Sequence, residues 1–182
     1  YLHSPWVYQF YKSVLINRAE NRQRTRLNQY RTALQNSGLY LHVFKNGAMQ
    51  AVAVPVSQIE KQVAVRHKYG MLLYHLVATY KPATILEIGT SIGISTAYIR
   101  AANHESNITT LDANSEAQHI AKDFHTKFGF DNIRYVNGYF DDTLPAVLHS
   151  ADTLDMVYFD GNHTYEATIQ YFEWCLQKHN GH

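Results

Sequence analysis

"TILEIGTSIGIST" occupies Thr84 to Thr96, and its reading decides the fold. A short apolar run carries an acid, Glu87, and then meets two glycines four residues apart, Gly89 and Gly93. Thr90, Ser91 and Ser95 lie among them. An apolar run of this length that stops at glycine reads as a buried strand opening into a loop. Ile94, Ala97, Tyr98 and Ala101 then recur at helical spacing, so a helix over 94–102 follows. Strand, glycine loop and helix make the first part of a βαβ unit.

The same alternation continues downstream. "NITTLD" (107–112) reads as a second strand. The next helix opens with Ser115-x-x-Gln118, a capping-box pattern, and its apolar face is Ala117, Ile120, Ala121, Phe124 and Phe128. "NIRYVNG" (132–138) is the third strand, followed by a short helix over 142–149. "LDMVYFD" (154–160) is the fourth. A last helix over 164–177 is expected to bury Tyr165, Ile169, Phe172 and Leu176. Strands alternating with helices imply right-handed crossovers and a parallel sheet.

Upstream the pattern is helical. Ser4-Pro5 supplies a hydroxyl cap and a first-turn proline, with Val7, Phe10, Tyr11, Val14 and Leu15 at helical spacing. A second helix over 21–36 carries Leu27, Tyr30 and Leu34 on one face and ends at Gly38. "LYLHVF" alternates like a short strand, and "NGAMQAVAVP" reads as a loop. One further helix is expected over 58–80, with Leu72, Leu73, Leu76 and Val77, stopped by Pro82. The chain thus divides into a helical extension, 1–81, and an α/β region, 82–182.

Composition narrows the function classes. Of the 182 residues, 46% are apolar, enough for a sizeable core. There is no apolar run long enough to span a bilayer and no secretory start, so no membrane role is expected. One cysteine, Cys175, leaves no disulfide framework and fits a cytoplasmic location. The eleven histidines are scattered, without zinc-site spacing. A net charge of +1 hides an asymmetry: residues 1–37 hold six Lys/Arg against one acid, whereas 83–182 hold five against thirteen. Such a split fits either a basic arm for nucleic acid or a basic helix lying against an acidic domain. "NRAENRQRTR" has no interleaved aromatics, which favours the second.

In open parallel sheets ligands bind beyond the carboxyl ends of the strands. The residues there are Glu87 to Gly93, Asp112, Asn137 to Phe140, and Asp160 to His163. The loop lacks the middle glycine of a dinucleotide fingerprint. Its acid would repel a phosphate and suits a ligand with an amine, while the following helix N-terminus favours a carboxylate. Asp112 lies 23 residues after Gly89, placed to bind both hydroxyls of a ribose. An adenosine with an amino-acid tail, S-adenosylmethionine, meets both demands.

"LEIGTSIGISTAYI" resembles the first motif of class I S-adenosylmethionine-dependent methyltransferases, acid-x-Gly-x-x-x-Gly. "VYFDGNHTYEATIQYF" resembles the fourth-strand segment of a bacterial small-molecule O-methyltransferase-like group, and "LHSPWVYQFYKSVL" its N-terminal helix. The resemblance is strongest over 82–176. It implies a doubly wound, Rossmann-like α/β fold with strand order 3-2-1-4 for the part present. By the same resemblance, Glu87, Gly89 and Gly93 shape the pocket for the methionine end, lined by Thr90, Ser91 and Ser95. Asp112 holds the ribose, and Gly138, Tyr139 and Phe140 border the adenine. Plain packing is the other reading of Tyr139 and Phe140.

Asp160 has three competing roles: binding the methionine amine, proton transfer, or one ligand to a divalent metal. A hard cation needs several oxygen ligands, so a metal is left open and its ligands unknown. His163 is a candidate general base, or simply a polar residue before a helix. Asn162 is expected to cap that helix.

The family's sheet has seven strands, and strands 5–7 have no counterpart here. The chain is therefore expected to continue beyond His182. The expected function is S-adenosylmethionine-dependent methyl transfer to an oxygen of a small molecule. A nucleic-acid or protein methyltransferase, or a non-catalytic cofactor-binding protein, are the alternatives, and a homodimer is open.

Overall fold

Serine and proline set the first helix. The computed structural model describes residues 4–16, 21–44 and 51–178. α1 (Pro5–Phe10) is capped by Ser4, whose Oγ accepts the Val7 N–H, and runs on into a π-helical turn, Tyr11–Leu15. In α2 (Asn21–Gln35) the stripe Leu27, Tyr30 and Leu34 is fully buried. Its Arg31 pairs with the buried Glu60 at 2.5 Å and donates to the Val65 carbonyl. Gly38, with φ +67°, turns the chain after α2.

Two expectations for the next segment are corrected. β1 (Tyr40–Phe44) pairs antiparallel with β2 (Ala51–Pro55), from Tyr40↔Pro55 to Phe44↔Ala51. "AVAVP" is thus a strand: β-branched alternation prevails once a partner strand is present. Residues 45–50 lie outside the described ones. The single helix over 58–80 is two, α3 (Val56–Gln62) and α4 (His67–Tyr80). The break at 63–66 re-aims α4 onto the sheet, where Leu73 and Val77 pack against Ile85, Ile99 and Ile108. Gly70 is needed there, since a Cβ would sit 2.7 Å from the Tyr98 ring. Lys81 leaves the helix at φ +47° just before Pro82.

The α/β region follows the sequence pattern closely. Its elements are β3 (Thr84–Ile88), α5 (Ile94–Ala102), β4 (Asn107–Asp112), α6 (Ser115–Lys127), β5 (Ile133–Asn137), α7 (Phe140–Ser150), β6 (Met156–Phe159) and α8 (Tyr165–Leu176). The four strands are parallel in the order β5-β4-β3-β6, the doubly wound order expected. Leu86 and Ile88 face α7 and α8 with Leu111, Leu144 and Tyr171. Ile85 faces the opposite layer, with α4 and α5. Helices on both faces bury the central strands on both sides. A further core joins Leu27, Tyr30 and Leu34 of α2 to Ile92, Ile94, Tyr98, Ala117 and Phe130. The helical extension and the α/β region therefore share buried surface.

Three local readings change. The cap of α6 is Asn114, whose Oδ1 accepts the Ala117 N–H at 3.0 Å, and Ser115 is already helical. Gln118 turns inward instead, donating to Thr90 Oγ1 and the Val136 carbonyl. In α8 the inward residues are Ala167, Tyr171 and Cys175. Tyr165 is 76% exposed, and Ile169, Phe172 and Leu176 are exposed too. β6 is the last strand of the described sheet, so nothing among the described residues covers that side of the helix.

Candidate functional site

The Gly89–Gly93 loop is shaped by what presses on it. Gly89 has φ +108°, and a Cβ there would lie 2.5 Å from the Asp160 carbonyl oxygen. Gly93 has φ +77°, and its Cβ would strike the His125 ring at 2.6 Å. Both glycines thus answer to close packing and to left-handed backbone. Ser91 is left-handed as well, φ +47°, and aims its N–H at Asp112 Oδ2, 2.7 Å away. The other Asp112 oxygen accepts the Asn114 N–H at 2.8 Å. Two backbone N–H groups therefore fix this carboxylate at the carboxyl end of β4.

Beneath the loop lies a buried polar floor. Glu87 is fully enclosed, opposite Thr110 and Tyr158 in the strand register. Its Oε2 accepts from Thr96 Oγ1 (2.5 Å) and Thr110 Oγ1 (2.7 Å), and its Oε1 has no hydrogen-bond partner. Burial pushes its carboxyl up to about 7, against the pull of nearby hydroxyls including Ser95, with Asp160 adding to the rise. Thr90 is buried too, with its hydroxyl 2.7 Å from that of Thr110. Glu87, Thr90 and Ser95 thus underlie the loop, whereas Ser91 and Asp112 border open space.

That space is a cleft of about 380 Å³ between the loop, the β1–β2 hairpin and α3. Ser91, Asp112 and Asn114 form its polar edge, and Leu41, Val43, Val54, Ile59 and Val63 its apolar walls. A few convergent polar groups on an apolar wall are what a small-molecule site requires.

A family model described as a methyltransferase domain matches residues 86–181. The chain belongs to that methyltransferase domain family. Catechol O-methyltransferase of Mycobacterium tuberculosis is 27% identical over 118 residues, 64% of this chain and 52% of that protein. The chain thus spans about half the length of the curated relative it matches. An O-methyltransferase of Bacillus cereus, solved with SAH, superimposes with TM-score 0.63 at 20% identity, covering 96% of this chain and 68% of that one. The O-methyltransferase TomG of Streptomyces achromogenes, involved in tomaymycin synthesis and solved with SAM, gives 0.64 at 20% identity, covering 96% and 67%.

The remaining residues expected at the site lie at the ends of β5 and β6. Gly138 has φ +143° and donates its N–H to the Asp112 carbonyl, so it closes onto the β4 end. Tyr139 is 73% exposed, while Phe140 turns inward edge-on to the Tyr171 ring. A Cβ on Gly161 would meet the Phe140 ring at 2.7 Å, so Phe140 packs beneath the β6 end. Asp160 and His163 are exposed and sit together beyond β6. Partial burial raises the Asp160 carboxyl, while His163 and the Tyr158 hydroxyl pull it down. Asn162 does not cap α8: its Nδ2 donates to Tyr171 Oη, which donates to Asp141. Among the described residues no group of three or more His, Cys, Asp or Glu side chains is placed to hold a metal. No helix among the described residues is long and apolar enough to cross a membrane.

Sequence reasoning missed the residues that hold the loop from behind. His125 is buried, with Nε2 2.7 Å from the Gly93 carbonyl oxygen and Nδ1 2.5 Å from Tyr135 Oη. Burial lowers it to about 4, so Nε2 carries the proton and donates to Gly93. Tyr30 stacks on His125 and donates its hydroxyl toward the Ile92 and Gly93 carbonyls. Tyr30 was readable as part of the α2 stripe, but the target of its hydroxyl lies 62 residues away. No local spacing records that.

Proposed function

We propose that this chain binds S-adenosylmethionine and serves methyl transfer to an oxygen of a small molecule. The observation that carries this reading is the Asp112 carboxylate, held by the Ser91 and Asn114 N–H groups at the edge of the cleft. Its oxygens keep lone pairs for the two hydroxyls of a ribose. The cleft's volume suits an adenosine-sized ligand, and SAM or SAH occupies the similar O-methyltransferases of Streptomyces achromogenes and Bacillus cereus.

When bound, the cofactor supplies a methyl group already activated on a sulfonium. The protein's work is then positioning and proton handling. Ser91 and Asp112 bind and orient. Gly89 and Gly93 let the loop approach, with Thr90 and Ser95 packed beneath it. Glu87 acts from below through Thr96 and Thr110, as a positioning residue. Gly138 and Tyr139 border the base, and Phe140 supports them. Asp160 and His163 take the acceptor's proton. A divalent metal would need oxygen ligands besides Asp160, so Asp160 is the one residue named toward it. We read 1–81 as an extension that walls the site and 82–182 as the first part of the cofactor domain. A cytoplasmic location fits the single buried Cys175.

Thermal unfolding with S-adenosylhomocysteine tests this reading. At a hundredfold over Kd, binding adds about 2.7 kcal/mol of stability. Asp112→Ala is expected to abolish the response. No response in the parent chain, or an equal one in Asp112→Ala, overturns the assignment. A catechol is the first acceptor to assay, since the curated relative is a catechol O-methyltransferase.

A further inference from the structure

At the far end of α5 from the glycine loop lies a second cavity, of about 440 Å³. Nine residues of helix separate the two, roughly 13 Å. Its walls are the first turns of α2, the end of α5 and the turn before β5. Among the described residues Arg22, Gln23, Arg26, Arg100, His104 and Phe130 line it, and no carboxylate does. Asp131 acts on the charges of Arg26 and Arg100, and it lies outside the wall. Among the described residues none of the three arginines is in an ion pair.

The donors divide into used and free. Arg26 gives Nε and Nη2 to the Phe128 and Gly129 carbonyls and lies 4.1 Å over the Phe130 ring, which leaves Nη1. Arg100 gives Nη1 to Asn103 and Nη2 to Ser106 and Asn132. Its Nε is buried without a partner, as is the Oε1 acceptor of Gln23, and Arg100 is only 4% exposed. Arg22 and His104 are exposed and make no hydrogen bond among the described residues. An unpartnered buried guanidinium N–H is costly, and cations that outnumber the one Asp131 carboxylate they feel repel. Burial, and after it the neighbouring charge of Arg22, lowers the affinity of Arg26 for its proton.

We infer that this cavity is a binding site for a phosphate group, free or carried by a small molecule. A compact, multiply charged oxyanion offers enough acceptors for Arg22, Arg26 Nη1 and His104 together, beside the buried charge of Arg100; one carboxylate would be matched by a single arginine. A nucleic-acid strand fits less well. It needs an open groove with free aromatic faces, and the one aromatic here, Phe130, already lies under Arg26. The inference stands independently of the cofactor reading.

Titration with inorganic pyrophosphate at constant ionic strength, followed by calorimetry and thermal unfolding, tests it. Saturable binding and a rise in Tm beyond that with chloride are expected. The double variant Arg22→Ala/His104→Ala touches only exposed side chains. It should fold, respond to S-adenosylhomocysteine as the parent does, and weaken pyrophosphate binding about tenfold or more. Asp131→Ala should tighten binding. Absence of saturation, or binding unchanged in the double variant, overturns the proposal. So does tight, Arg22-dependent binding of a single-stranded RNA without saturation by pyrophosphate.

Discussion

Glu87 and His125 sit within one buried layer and oppose each other as pH changes. Glu87 is raised from 4.5 to about 7 in the fold, so between those values the folded chain holds more protons than the unfolded one. Its contribution to stability therefore falls as pH climbs from 4.5 to about 7. His125 is lowered from 6.5 to about 4, so the unfolded chain binds more protons there. Its contribution rises as pH climbs from about 4 to 6.5. Each swing is on the order of 3 kcal/mol, and over the shared range they largely cancel. Glu87→Gln should therefore expose the histidine's slope. Urea unfolding at pH 4.5, 5.5, 6.5 and 8 should show stability climbing to pH 6.5 in the variant and a flatter profile in the parent. The slope is the readout, because the new amide leaves a buried donor unpaired and shifts the absolute level. Parallel profiles would sink the assignment. Sequence spacing marked Glu87 as special but suggested a ligand-facing acid. Strand periodicity sets it on the face of Ile85, under α5, where the Thr96 and Thr110 hydroxyls bond it.

Elements whose own residues carry the pattern were the easiest to read. Each βα step from β3 to α8 lies within two residues of its expected bounds, because apolar runs, turn residues and helical spacing agree there. The hairpin and the break between α3 and α4 were not legible. Each depends on a partner outside its own stretch: β2 needs β1 across the hairpin, and the α4 axis follows the sheet and Tyr98. The support that α2 gives the glycine loop has the same origin. Removing it should be measurable. Tyr30→Phe deletes a buried hydroxyl bonded to Ile92 and Gly93 and should cost about 0.5–1.5 kcal/mol in urea unfolding. Gly93→Ala should cost more, on the order of 1–3 kcal/mol, since the methyl meets His125 and the backbone is left-handed. A Gly93→Ala chain as stable as its parent would show that the loop is free to yield. The cofactor response of both variants should weaken with the loop.

On the scale of the whole molecule, charge and apolar surface tell different stories. Among the described residues of the basic N-terminal region, Arg26 holds backbone carbonyls and Arg31 pairs within the extension, with Glu60. Composition showed the asymmetry and not its partners, since carbonyl oxygens carry no signature in a charge count. Apolar surface is the larger imbalance. β6 pairs only with β3 among the described strands, and a groove of about 200 Å³ runs between β6 and α8, lined by Met156, Val157, Phe159, Phe172 and Leu176. Tyr165 and Ile169 extend it as exposed surface. An open strand edge beside such a patch is a template for association. The polypeptide of these 182 residues should therefore self-associate at micromolar concentration, seen as a rising mass in light scattering after gel filtration. Phe172→Glu should return it toward the monomer mass while leaving Tm nearly unchanged, because Phe172 is half exposed and its ring meets only Phe159 among the described aromatics. A parent chain that stays monomeric across that range would show that the β6 edge is protected by its own twist and length. A variant that associates as strongly as the parent would place the contact elsewhere.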